Sequence, residues 1–253
     1  MRGPGAAHYI LRGAESSVPR QLFLQPHAFL CRGQRHWVIL DVNRDRYLCV
    51  ERRQFEALGP SLKGWEDGTR DATAVPGLAD ELATRLLNLG ILSGQAGDAK
   101  DAVPTVYPVA TDAIDPDRPA RVRRSSCIHA GAFFTSSARA SRELRRQSLQ
   151  LTIDSVRTRK NRNVASAAPC DFDRVLSLVS VFDRWRLYYP RSYLCLFDSL
   201  ALIHFLARFG VFPDWVFGVS ADPFEAHCWV QAGHVVLNDT VQRVSGFSPI
   251  MYL

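Results

Sequence analysis

The chain has 253 residues, 47% of them hydrophobic, and its 31 Lys and Arg against 25 Asp and Glu leave a net charge of +6. That length allows one large domain or two ordinary ones, and the composition excludes fibrous and wholly disordered chains. The six cysteines form no C-x-x-C pair and no even framework of spacings, which argues against a structural zinc site or a disulfide scaffold and leaves reduced thiols.

The first twenty residues are broken by Gly3, Pro4, Gly5, Gly13 and Pro19 and carry no signal-peptide pattern. From about Leu22 the runs Phe29–Cys31, His36–Leu40 and Tyr47–Val50 are rich in β-formers. They are separated by turn-like Arg32-Gly33-Gln34 and Asp41–Asp45, which predicts a three-stranded antiparallel meander. A short helix is expected near Arg53–Leu58. A second follows from Leu78 to Leu89, with Leu78, Leu82, Leu86 and Leu89 at helical spacing and Gly90 ending it. Residues 22–92 therefore read as a small β-β-β-α-α domain. Residues 93–125, rich in Gly, Pro and Asp, read as a linker, and 126–253 as a second domain.

Between Arg121 and Arg162 eleven basic residues face only Glu143 and Asp154. Such a stripe suits a solvated segment or a docking face for an acidic partner. No nucleic-acid partner is expected, because no helix-turn-helix, RNA-binding or zinc-finger signature accompanies it. Part of it, Ser136–Leu149, reads as helical or mobile. Beyond Cys170, the residues Phe172, Val175, Leu176, Val179 and Phe182 mark a helix face, with Asp171 or Asp173 as its cap. The next helix runs from about Leu194 to Phe209 and is closed by Gly210 and Pro213. The segment around Leu194–Val219 carries Asp198, His204, Arg208 and Asp214, too polar to cross a bilayer, so a cytoplasmic chain with no membrane partner is expected. Three β-like runs then follow: Trp215–Val219, Ala226–Gln231 and Val235–Asp239. The expected class is α+β.

Cys195 falls in the first turn of its predicted helix, where unpaired N–H groups and the helix dipole favour a thiolate. His204, nine residues on, faces the other side of that helix. His227 begins a strand, and Asp239 lies on the next. With a three-residue turn Ala232-Gly233-His234 the two stand opposite each other, so that the carboxylate can orient the imidazole. A shift of one residue would set Asn238 or Thr240 there instead. Cys228 alternates to the opposite face from His227 and reads as a core thiol. The spacing of His227, Cys228 and His234 fits no common zinc site, and neither phosphate-binding glycine motif is present, so no metal or cofactor is expected.

The run Tyr193-Leu194-Cys195-Leu196-Phe197-Asp198-Ser199-Leu200-Ala201-Leu202, then Phe217-Gly218-Val219, Pro223–Val230 and Leu237-Asn238-Asp239, resembles the leader peptidases of lasso peptide biosynthesis, the B proteins. The resemblance covers about Asp171–Leu253. It implies a papain/transglutaminase-like cysteine peptidase domain with Cys195, His227 and Asp239 as its triad. It also implies that residues 22–92 are a winged-helix-like recognition element that binds the leader of a precursor peptide by strand addition. The expected contacts are Arg46, Tyr47, Leu48, Cys49 and Val50 on the edge strand, with Leu82, Arg85, Leu86 and Leu89 on the adjacent helix. An ATP-dependent lasso cyclase is the further partner implied. A thiol acyltransferase on the same triad, or a non-catalytic peptide-binding adaptor, are the competing readings.

Overall fold

A computed structural model of the chain describes residues 21–65, 77–114, 127–164, 172–190 and 192–253. Cys170 and the Asp171 cap lie outside these residues, as do 115–125 of the expected linker. After the short strand β1 (Phe23–Leu24), the expected meander forms as β2 (Ala28–Arg32), β3 (His36–Asp41) and β4 (Arg46–Glu51), in the order β2-β3-β4. Gly33 makes the first turn because any Cβ there would sit 2.8 Å from the His36 carbonyl. The second turn is held by the buried Asp41 carboxylate, which accepts from the Arg44 backbone N–H and guanidinium and from Arg46 Nε. Period-two alternation divides the sheet. Ala28, Leu30, Trp37, Ile39, Leu48 and Val50 pack on α1 (Arg52–Leu58) and α2 (Leu78–Asn88). Cys31, Val38, Leu40 and Tyr47 face the other way, into the C-terminal half. Gly90, at φ +66°, ends the α2 region while the Ile91 N–H bonds back to the Leu86 carbonyl.

The expected linker is instead a strap. β5 (Leu92–Ser93) pairs with β1, Ala102 N–H bonds to the Lys63 carbonyl, and Thr105 N–H bonds to that of Leu30. Thr105 Oγ1 and Tyr107 Oη then reach Ile250 O and Asp214 Oδ2 at 2.5 and 2.7 Å, and β6 (Asp112–Ala113) adds in parallel to the C-terminal sheet. Its prolines prevent a long ladder, but the Thr105 N–H reaches the Leu30 carbonyl of the first sheet and the Ile114 N–H the Val236 carbonyl of the second.

The basic segment also folds from Cys127 onward: α3 (Cys127–Arg146) and α4 (Leu149–Val164) precede α5 (Phe172–Arg186) and α6 (Cys195–Ala207). α6 is buried all round, through Phe197, Leu200, Ala201, Leu202, Phe205 and Leu206, so it is the central helix of this half. The small residues Ala132, Ser136, Ser137 and Ala140 let α3 approach it closely, and Lys160 ties α4 to Asp214 and to the Leu253 carbonyl. Behind α6 stands a five-stranded sheet. It comprises β7 (Asp214–Ala221), β8 (Phe224–Ala232), β9 (Val235–Val236) and, after α7 (Val241–Val244), β10 (Ser248–Tyr252), in the order β10-β7-β8-β9-β6. The molecule is α+β, with a small N-terminal sheet region and a helix-plus-sheet C-terminal domain.

Candidate active site

Cys195 is the first residue of α6, and the loop before it is fixed from two sides. Asp198 accepts the Leu194 N–H through Oδ2 at 2.8 Å, and its other oxygen pairs with the buried Arg186 guanidinium of α5. Arg186 also bonds to the carbonyls of Tyr189 and Ser192, which pins the chain between the two helices. The half-buried Cys195 sulfur thus sits at the end of the α6 dipole, opening into a cleft of about 230 Å³. Phe182, Asp183, Tyr193, His227 and Asp239 share that cleft.

His227 and Asp239 meet, though not by the expected pairing. β8 and β9 are joined by the two-residue turn Gly233-His234, with Ala232 opposite Val235 and Gln231 opposite Val236, so the register differs by one from that expected. Extended along the strands, it would put Thr240 rather than Asp239 across from His227. The ladder ends first. Leu237 N–H bonds to the Val230 carbonyl, the Asn238 side chain accepts the Val230 N–H at 2.7 Å, and the chain turns off toward α7. That turn swings the Asp239 carboxylate back to His227 Nε2, at 2.5 Å. Trp229 and Phe247 flank the imidazole at ring-centroid distances of 6.0 and 5.1 Å. With Nε2 taken by Asp239, the other ring nitrogen is free for Cys195.

The electrostatics follow from these contacts. Hydrogen bonds from the Cys228 thiol and from His227, with the Cys228 backbone N–H, outweigh burial and bring the Cys195 thiol down to about 4. Burial pulls the His227 imidazolium down, but bonds to Asp239 and Cys195 overcome it and raise His227 to about 9. Partial burial works against the Asp239 charge, yet its bonds to His227 and the Thr240 N–H, with Arg243 nearby, hold it below the usual carboxylate range. At neutral pH the site therefore holds a thiolate, an imidazolium and a carboxylate in a row. This is the set needed for nucleophilic attack on a carbonyl carbon and protonation of a leaving group.

His204 is turned away as expected and lies buried against Glu143 Oε2 at 2.7 Å. Asp198 and Arg186 were not legible as a pair, because they are twelve residues apart on different helices. The one local signal was an acidic side chain in the first turn of α6. Asp183 was not singled out either. Burial and the Asp198 charge push its carboxyl up to about 7. Among the described residues no His, Cys, Asp or Glu cluster could hold a metal ion.

Of the expected peptide contacts, Arg46–Val50 form the edge strand β4. Arg46 Nε is committed to Asp41, Tyr47 packs on Phe224 at 5.5 Å between ring centroids, Leu48 is half-buried, Cys49 is exposed and Val50 is in the core. On α2, Leu82 and Leu86 are buried in the N-terminal core, Arg85 is exposed and Leu89 is half-buried. No helix among the described residues is long and apolar enough to cross a membrane.

No curated protein and no solved structure matches the chain. Residues 135–252 do match the family model of the transglutaminase-like superfamily, a span that runs from within α3 to β10 and contains Cys195, His227 and Asp239. The C-terminal half is therefore a transglutaminase-like domain, of the kind compatible with a cysteine peptidase or an acyltransferase.

Proposed function

We propose that the protein is a leader peptidase of lasso peptide maturation, which binds a ribosomal precursor through its leader and hydrolyses the leader–core bond at Cys195. The observation that carries the reading is the row of Cys195, His227 and Asp239 at the mouth of the cleft. The Cys195 thiolate attacks the carbonyl carbon at the junction, and the resulting oxyanion is met by the Cys195 backbone N–H at the start of α6. The His227 imidazolium gives its proton to the departing amine, which becomes the N-terminus of the core peptide. Neutral His227 then takes a proton from water as that water attacks the thioester, releasing the leader as a free carboxylate and restoring the thiolate. Asp239 keeps the ring oriented throughout.

The leader is assigned to the outer edge of β4, where an added strand would find unpaired main-chain groups. Tyr47 on that strand rests on Phe224, three residues before His227, so one side-chain contact links the edge strand to β8. Since Leu82 and Leu86 are core residues, the exposed Arg85 and half-buried Leu89 are what α2 can offer. An ATP-dependent cyclase is the partner that would consume the freed amine, and the exposed arginines of α3 and α4 are its candidate docking face.

Incubating the protein with a precursor peptide and following mass tests the reading. The wild type should release an intact leader ending in a free carboxylate, and Cys195→Ala should bind the leader without cutting it. Release of the leader as an amide would instead identify an acyltransferase. Equal processing by Cys195→Ala would reduce the chain to a peptide-binding adaptor.

A further inference from the structure

The proposed mechanism leaves one buried nucleophile beside Cys195 unassigned. Cys228 follows His227 on β8 and is only 3% exposed, yet it lines the same cleft as Cys195. Strand alternation sends His227 toward Trp229 and Phe247, and sends Cys228 to the opposite face, against α6. On β8, β9 reaches no further than Gln231 and Ala232, and Leu237 and Asn238 occupy Val230, so the β8 edge beyond Val230 is left to the first turn of α6. There the Cys228 sulfur lies 3.4 Å from the Ser199 hydroxyl, and that hydroxyl gives its own proton to the Cys195 carbonyl. Ser199 can then offer Cys228 only lone pairs, and the Cys228 S–H is the donor in their contact. Cys195 stands one helical turn before Ser199 on α6 and lines the same cleft as Cys228, so its sulfur is the second acceptor on that side of β8.

We propose that Cys228 is a positioning residue for the nucleophile, its buried thiol switching between the Ser199 hydroxyl and the Cys195 thiolate. The proposal rests on the reading of Cys195 as the nucleophile. A charged acceptor binds a donor roughly twice as strongly as a neutral one, so the free thiolate draws the S–H away from Ser199. Once Cys195 is acylated its sulfur is neutral and a poor acceptor, and the proton returns to Ser199. The thiolate is thereby stabilised in the resting enzyme and as the leaving group of deacylation, with no charge brought into the core. Cys228 itself remains protonated, because burial and the adjacent Cys195 push its thiol well above the ordinary range.

The test is the pH dependence of Cys195 ionisation, read on the purified protein without substrate by ultraviolet thiolate absorbance and by iodoacetamide alkylation. Cys228→Ala should raise the midpoint by about one pH unit or more, the scale of one hydrogen bond to a charged group. Cys228→Val, which fills the space but cannot donate, should do the same, whereas Cys228→Ser, which keeps a donor, should hold the midpoint or lower it. An unmoved midpoint in the Ala and Val proteins, or a rise in the Ser protein equal to theirs, would overturn the assignment. If neither apolar variant folds, the Ser variant decides alone, a raised midpoint counting against the proposal. Failure of the wild type to cut a leader would sink the peptidase reading but leave this titration unaffected, so the two can fail separately.

Discussion

Asp239 does two things for His227 that a neutral side chain would do only in part. Its carboxylate occupies Nε2 and so directs the other ring nitrogen to Cys195, and its charge holds the imidazolium that, in the proposed mechanism, protonates the leaving amine. Asp239→Asn keeps an acceptor of nearly the same shape but removes the charge. It should cost about 10²–10⁴-fold in kcat. The pH profile gives the sharper signature. His227 is raised to about 9, so the imidazolium is present below that value and lost as pH rises through it. In the Asn variant that falling limb should move toward the ordinary histidine range, so the variant loses more of its activity in mildly alkaline than in mildly acidic buffer. A kcat/KM profile with an unchanged alkaline limb would remove Asp239 from its role. The residues of this pair were legible from the chain, but their route to one another was not. The expected strand register is off by one, and the contact depends on where β9 stops pairing, which Asn238 decides by accepting the Val230 N–H with its side chain.

At the scale of elements, the helix hardest to read in the sequence is the one that backs α6. α3 meets α6 through Ala132, Ser136, Ser137, Ala140 and Ser141, residues whose small size permits close approach but gives hardly any apolar periodicity. The basic run on its exposed side then reads as a solvated segment. By contrast, α2, α5 and α6 carry large aliphatic or aromatic side chains at helical spacing and were legible. What locks α3 in place is polar: Glu143 accepts from buried His204 at 2.7 Å and from Arg139 Nε at 2.7 Å. Despite burial, these partners bring Glu143 down to about 2, while burial lowers His204 and keeps it neutral. Both shifts act in the same direction on stability. The Glu143 contribution is complete above its unfolded value and is lost as pH falls toward about 2. A neutral buried His204 adds a further penalty once the unfolded chain takes up its proton. Glu143→Ala should therefore destabilise the protein by about 3 kcal/mol, by leaving His204 and Arg139 without their acceptor, and should flatten the acid limb of stability. Urea unfolding at neutral and acidic pH checks both; equal midpoints for the two proteins at neutral pH would show the pair to be dispensable.

The whole molecule is held together by a sheet that buries both its faces. Period-two alternation in β2 and β3 was visible as β-strand character, but a chain read in isolation cannot say that the second face is covered by another domain. The Gly- and Pro-rich stretch between the halves suggested separation. In the structure Cys31, Val38, Leu40 and Val42 are at most 3% exposed and belong to the same core as α6 and β7, while the strap from Leu92 to Ala113 hydrogen-bonds to both sheets. Burying one aliphatic side chain of this size is worth about 1.5–3 kcal/mol. Three of them together approach the net stability of a whole domain, about 5–15 kcal/mol. The C-terminal domain should accordingly depend on the N-terminal sheet for its fold. A fragment beginning at Cys127 would expose the apolar surface that Val38, Leu40 and Val42 cover and would lose the strand that β6 adds beside β9. It should show no cooperative thermal transition, and the full chain should unfold in a single step with coincident far- and near-ultraviolet circular dichroism. Leu40→Asp in the full chain should lower the transition temperature of both halves together, because the charge would be buried in the shared core. If the fragment instead melts cooperatively at the temperature of the intact protein, the two halves are independent domains, and Cys195 is positioned without help from the N-terminal sheet.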